Sequence, residues 1–97
     1  MYYIISLCHT SKHEQYLTLW RPNNAGYCYS KEQAGVYESP EKGYHDSDSN
    51  MPIKVEEADK LFQHLPYDNV MKYMIPNTRE VWKSLNVKMT KHGLVKS

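Results

Sequence analysis

Two β-type runs separated by one short polar break dominate the amino-terminal third of the chain. They are Tyr2-Tyr-Ile-Ile-Ser-Leu-Cys8 and Gln15-Tyr-Leu-Thr-Leu-Trp-Arg21, with His9 to Glu14 between them. β-Branched and aromatic residues favour a pleated, half-buried surface. A turn follows, Pro22-Asn-Asn-Ala-Gly26, then the short aromatic segment Tyr27-Cys-Tyr29. This order predicts an antiparallel sheet that grows by consecutive hairpins. The turn suits positive φ at Asn or Gly. Nothing in residues 1–37 has the spacing of catalytic machinery.

Period-two alternation assigns the faces. In the first run Tyr3, Ile5 and Leu7 point one way, and Tyr2, Ile4, Ser6 and Cys8 the other. Both faces begin apolar, which predicts a central strand covered on both sides at its start. In the second run Leu17 and Leu19 share a core face. Tyr16, Thr18 and Trp20 share the opposite face, which is expected to be only partly covered.

Beyond the sheet the signals alternate. Ser30-Lys-Glu-Gln33 matches a capping box and predicts a short helix from about Lys31 to Ala34, ended by Gly35. Glu38 to Asn50 is a long polar loop, a type of segment often used for function. Met51 to Val55 reads as an edge strand, because Pro52 cannot donate to a central ladder. Glu56 to His64 reads as a helix stopped by Pro66, with acids in its first turn. Lys72 to Ile75 is a candidate short strand. Asn77-Thr-Arg-Glu80 predicts a second cap, opening a helix of about ten residues with Val81, Trp82 and Leu85 on one side. No internal repeat is present. The prediction is a single α+β domain over residues 1–97: a small antiparallel sheet of three to four strands with two or three short helices on one face. Residues 87–97 form a basic tail expected to fray. Core candidates are Ile5, Leu7, Leu17, Leu19, Leu61, Phe62, Val81 and Leu85.

Composition matters in two ways. Nine tyrosines and two tryptophans stand against a single phenylalanine. Tyrosine buries its ring while its hydroxyl reaches water, so it serves equally as core edge or as contact surface. The net charge of +1 hides an uneven distribution. Residues 38–70 carry three basic and eight acidic side chains, and residues 71–97 six basic and one acidic. The two segments either attract each other within the fold or form separate surfaces, and a plainly solvated surface explains the same pattern. No secretory signal or membrane-length apolar stretch is read, so the expected compartment is the cytoplasm, where Cys8 and Cys28 are expected to be free buried thiols.

Four constellations could carry chemistry. Cys8, His9, His13 and Cys28 are possible zinc ligands, but the paired C-x2-C knuckle is missing, and neighbours on a strand point to opposite faces. His9-Thr10-Ser11 and His45-Asp46-Ser47 echo the twin H-x-S/T motifs of two-histidine phosphoesterases, without the hydrophobic strand context. Lys83, Lys88, Lys91, His92 and Lys96 together with Tyr16, Trp20, Tyr27 and Tyr29 offer phosphate contacts and stacking platforms for a single strand. The acidic set Glu38, Glu41, Asp46, Asp48, Glu56, Glu57 and Asp59 includes an incomplete calcium-loop pattern that lacks glycine at its sixth position. Such a cluster can also mimic phosphates. No metal or cofactor is predicted.

Several segments taken together carry a resemblance. They are Tyr3-Ile-Ile-Ser-Leu7, His9-Thr10, Tyr16 through Cys28, Ala34-Gly35 with Tyr37, Gly43-Tyr44-His45, and Asn50 with Pro52. Pro76 to Arg79 with Trp82 returns the pattern more faintly. The chain resembles a group of small proteins encoded by tailed bacteriophages and prophages, a group with no assigned activity and hence no functional residues to transfer. The resemblance implies an accessory phage product acting in a bacterial cytoplasm. Such products commonly bind and blunt a host macromolecule. The expectation is therefore a non-enzymatic inhibitor of a host protein or ribonucleoprotein complex, such as a CRISPR effector. Its contacts would come from Tyr16, Trp20, Tyr27 and Tyr29 and from Glu41, Asp46 and Asp48. Single-stranded nucleic-acid binding is the first alternative. A phosphodiesterase using His9 and His45 is the second.

Overall fold

The computed structural model describes all 97 residues. Strand β1 (Tyr2–Ser6) lies between β2 (Leu19–Trp20) and β4 (Asn50–Lys54), and β3 (Tyr27–Cys28) completes a four-stranded antiparallel sheet in the order β3-β2-β1-β4. β1 is central, as its two apolar faces require. β4 is an edge, and Pro52 sits opposite Ile4 where its missing N–H costs no inner ladder bond. Asn23, Asn24 and Gly26 take the positive φ values that the β2–β3 turn demands.

The alternation of β1 sorts the interior into two layers. Tyr3, Ile5 and Leu7 enter the main core with Leu17, Leu19 and Cys28 from the sheet. Ala58 from helix α1 (Val55–Asp59) and Val81 from helix α2 (Arg79–Leu85) join the same cluster, so both helices cover one face. Fully burying each large aliphatic side chain contributes roughly 1.5–3 kcal/mol. On the other face Ile4, Ser6 and Trp20 are also buried, and the 36–49 loop is what covers Trp20.

Two further hairpins complete the domain: β5 (Gln63–Tyr67) with β6 (Val70–Met74), and β7 (Val87–Thr90) with β8 (Gly93–Lys96). The second corrects the frayed-tail expectation. Val87 and Leu94 are buried in the core, and the Leu94 N–H donates to the Leu7 carbonyl at 3.1 Å. Apolar Val and Leu positions hold the tail against β1, whatever its charge.

The helix expected over Glu56 to His64 is also corrected. It ends at Asp59, and Gln63 to Tyr67 is a strand containing Pro66. The cause is the two-residue turn Asp68-Asn69, both at positive φ (48° and 61°), which sets a tight hairpin. In such a hairpin the residues flanking the turn form a hydrogen-bonded pair, and the next pair does not. Pro66 falls in that next pair, opposite Met71, where no N–H is needed. The strand at Lys72 to Ile75 is present and longer than expected, beginning at Val70.

Ser30 to Ala34 makes one turn but no helix, closed by the Ala34 N–H donating to the Ser30 carbonyl at 3.1 Å. The Lys31 N–H is drawn to the Tyr73 carbonyl at 2.8 Å, and the Gly35 N–H to Trp20 at 2.9 Å. Gly35 lies so close to Pro22 that a Cβ would stand 2.7 Å from its backbone. α2 is capped by Thr78, whose hydroxyl accepts from the Val81 N–H, and not by Asn77. The Asn77 amide instead donates to the carbonyls of Ser11 and Glu14 and accepts from Trp82 Nε1, which ties α2 to the β1–β2 connection.

Candidate functional site

The four aromatics expected to form one docking face do not share one. Tyr16 and Trp20 are buried, at 9% and 6% exposure. Tyr16 is a covered ring because the Tyr16–Pro76 bridge and its hydroxyl, which donates to the Pro66 carbonyl, hold it under the β5–β6 hairpin. Tyr29 packs with it edge-on and also meets Tyr67 of the hairpin. The Tyr29 hydroxyl donates to Glu14 at 2.7 Å. That bond to a carboxylate, reinforced by burial, pushes its pKa up to about 12. These rings form a seam that joins the hairpin to the sheet.

Trp20 and Tyr27 are cross-strand partners and belong to a second cluster. The Trp20 indole is met by Tyr27, Tyr37, Tyr44 and His45 at centroid distances between 5.2 and 6.5 Å. Its Nε1 donates to Asn50 Oδ1 at 3.1 Å. His45 is the residue that organises the loop. Its Nδ1 accepts from the Glu41 N–H at 2.8 Å, which leaves Nε2 as the protonated nitrogen, donating to Asn24 Oδ1 at 2.8 Å. Both ring nitrogens of His45 are engaged within the protein, and the side chain keeps only 4% exposure.

Around His9 the geometry also departs from expectation. β1 ends at Ser6, and a turn closed by the Thr10 N–H on the Leu7 carbonyl folds His9 back. His9 Nδ1 then lies 2.8 Å from Ser6 Oγ and 3.3 Å from Cys8 Sγ, so the neighbours Cys8 and His9 meet where a continued strand would have separated them. Cys8 is exposed, and only Cys28 is a buried thiol, pushed up to about 11 by its burial. No group of three or more His, Cys, Asp or Glu converges on a metal position.

Of the acids, Glu41, Asp46 and Asp48 are exposed on the loop. Asp46 pairs with Lys96 at 2.8 Å, so the acidic middle and basic end attract each other at that point within the fold. The pair is half-exposed and contributes at most about 1 kcal/mol. Asp46 and Asn50, the first and fifth positions of the calcium-like pattern, are thus engaged elsewhere.

Half of the exposed large apolar side chains, Tyr67, Val70, Met71 and Tyr73, lie on the β5–β6 hairpin. Cross-strand partners share a face. Met74, Leu65 and Tyr67 lie on the side of the β5–β6 hairpin that turns toward Tyr29 and the core. His64, Tyr73, Pro66 and Met71 lie on the other side. Tyr73 stacks on His64 at 4.8 Å and keeps 53% exposure, Met71 keeps 52%, and Val70 beside the turn keeps 51%. The Asp68-Asn69 turn between β-formers was the signal that announced a hairpin there. Its outward face depended on what lay beneath.

No helix is long and apolar enough to cross a membrane. No family model, curated protein or solved structure matches the chain.

Proposed function

We propose that this chain is a non-enzymatic binding protein that docks on a host macromolecule through the outer face of its β5–β6 hairpin. The carrying observation is the solvent-facing pair Met71 and Tyr73 on one side of the two-stranded ribbon, with exposed Val70 at the turn on the other side. Tyrosine and methionine concentrate binding energy when a partner desolvates them, and a charged rim of Lys72 and Asp68 suits the periphery of such a contact. The resemblance to phage accessory proteins supplies the setting. The partner is a host protein or ribonucleoprotein in the bacterial cytoplasm, a nucleic-acid-handling defence complex first among them, and binding inhibits it. Tyr16 and Trp20 act in this reading as supports, and the acidic loop with Glu41 and Asp48 as a second, electrostatic contact.

The test is affinity capture from a bacterial host lysate with wild type and the Met71→Asp/Tyr73→Ser double variant. Both residues are half exposed, so the variant is expected to keep the wild-type circular dichroism spectrum and melting temperature within a few degrees. It should lose the captured partner at least tenfold. Equal capture by both proteins would refute the hairpin as the docking face.

A further inference from the structure

The outer edge of β6 is open. Across the tight hairpin Tyr67 faces Val70 and Leu65 faces Lys72 as hydrogen-bonded pairs, so the backbone groups of Met71 and Tyr73 point away from β5. The Tyr73 carbonyl takes the Lys31 N–H at 2.8 Å. The Met71 N–H, the Met71 carbonyl and the Tyr73 N–H make no bond within the protein. Strand edges are normally blunted. On the ribbon's other edge Pro66 has no N–H, and its carbonyl takes the Tyr16 hydroxyl. The main sheet carries Pro52 at its β4 edge. β6 has no proline.

A cavity of about 500 Å3 lies between this strand and the turn at Lys31 and Glu32. Met71 and the stacked His64–Tyr73 pair give it apolar walls. Tyr3 reaches it from the core. That side chain is only 4% exposed, and its ring packs edge-on against Phe62 at 5.5 Å. Its hydroxyl lines the cavity side and has no hydrogen-bond partner in the protein. Burial raises the pKa of this hydroxyl, against the pull of Lys31. It is therefore a neutral O–H that can donate or accept. The charges around the cavity are already committed. The Lys31 ammonium is paired with Asp59 at 2.8 Å, Glu32 adds a carboxylate, and the Lys72 ammonium stands over the Tyr67 ring at 5.6 Å. A nucleic-acid backbone requires free cations, so a phosphate chain is disfavoured here. Unpaired backbone groups beside a neutral hydroxyl match another polypeptide backbone.

We propose that the protein partner contributes an extended segment, which pairs as an added strand with the outer edge of β6 and brings one neutral polar side chain onto the Tyr3 hydroxyl. The inference rests on the hairpin as the docking face and names how the partner meets it. Backbone bonds to Met71 and Tyr73 supply affinity, and the cavity beside them selects a side chain. The Lys31 bond to the Tyr73 carbonyl is already one rung of that ladder.

A displayed library of short random peptides, selected on the wild-type protein, supplies the probe. A selected peptide should slow the amide exchange of Met71 and Tyr73 at least about tenfold. Lys72, whose N–H already faces Leu65, should exchange as before. Tyr3→Phe removes a hydroxyl without a partner, so it keeps the fold, and it should weaken the peptide about fivefold. Met71→Pro removes the outward N–H at a position of the kind that Pro66 holds in β5. It should bind at least about fivefold more weakly than Met71→Ala, which loses the side chain alone. A selection that returns no peptide, peptides that leave Met71 and Tyr73 exchange unchanged, or full affinity in Tyr3→Phe would overturn the inference. Slowed exchange of the same amides with oligothymidylate in place of a peptide would also overturn it. Lysate capture separates this result from the docking face. Capture by Met71→Pro equal to that by Met71→Ala, beside loss in the Met71→Asp/Tyr73→Ser variant, would refute strand pairing and leave the face standing. Equal capture by all of them refutes the face itself.

Discussion

Trp20 and Tyr73 both lie on strands and both pack against a histidine, yet one keeps 6% of its surface and the other 53%. The difference comes from what lies over each. Trp20 faces the 36–49 loop, and that loop is fastened by His45, with one nitrogen on Glu41 and the other on Asn24. Tyr73 belongs to a two-stranded ribbon with only one covered face, and its partner His64 is itself exposed. A ring in a strand is therefore core or surface according to whether a second layer is anchored above it, and that anchor can be a single polar side chain far away in sequence.

The sharpest way to break the comparison is to delete each ring. Trp20→Ala should destabilise the domain by about 3–5 kcal/mol, since it removes a buried indole from among four rings and leaves Asn50 Oδ1 without its donor. Tyr73→Ala, on the open face, should cost under about 1 kcal/mol. Paired denaturant titrations decide it. Comparable losses would mean that the hairpin face is covered in solution.

His45→Ala tests the anchor. It leaves the Glu41 N–H and the Asn24 oxygen without their partner and should cost about 1–3 kcal/mol. Amide exchange should accelerate across residues 38–49, and Trp20 fluorescence should shift toward that of a wet indole. An unchanged exchange rate in the loop would show that the other rings hold it unaided.

The smallest effect concerns the seam between the two regions. The folded-state pKa of Tyr29 is pushed up to about 12, against about 10 in an unfolded chain. Above about pH 10 the unfolded state loses this proton while the folded state keeps it, so stability falls as the pH rises toward 12. Below that window the contribution of Tyr29 is fully present. Tyrosinate absorbance of wild type minus Tyr29→Phe should titrate near 12, and should move toward 10 in a Glu14→Gln background. Screening of a partly exposed hydroxyl keeps the stability change small.

Much of the architecture was legible in the sequence because it rests on local physics. The alternation in Tyr2 to Leu7 made β1 central with Ile5 and Leu7 in the core. Pro52 made β4 an edge, and the Asn-Asn-Ala-Gly segment made a tight turn. Helices were less legible. At Ser30 to Ala34 and after Asp59 the local helical signals were real, but the Tyr73 carbonyl, the Gly35–Pro22 contact and the Asp68-Asn69 turn offered the backbone other partners. The candidate sites were the least legible. Tyr27 was placed correctly at a surface, whereas Tyr16 and Trp20 were not, and Tyr44 and His45 stood out only as an aromatic pair in an otherwise polar loop.

The amino-acid order by itself determined the α+β class, the central strand and its two faces, because side-chain periodicity and turn chemistry act over a few residues. Only the tertiary structure decided which tyrosines meet water, because exposure depends on layers supplied by segments tens of residues away. The loop fastened by His45 closed over one aromatic cluster, and no segment closed over the other.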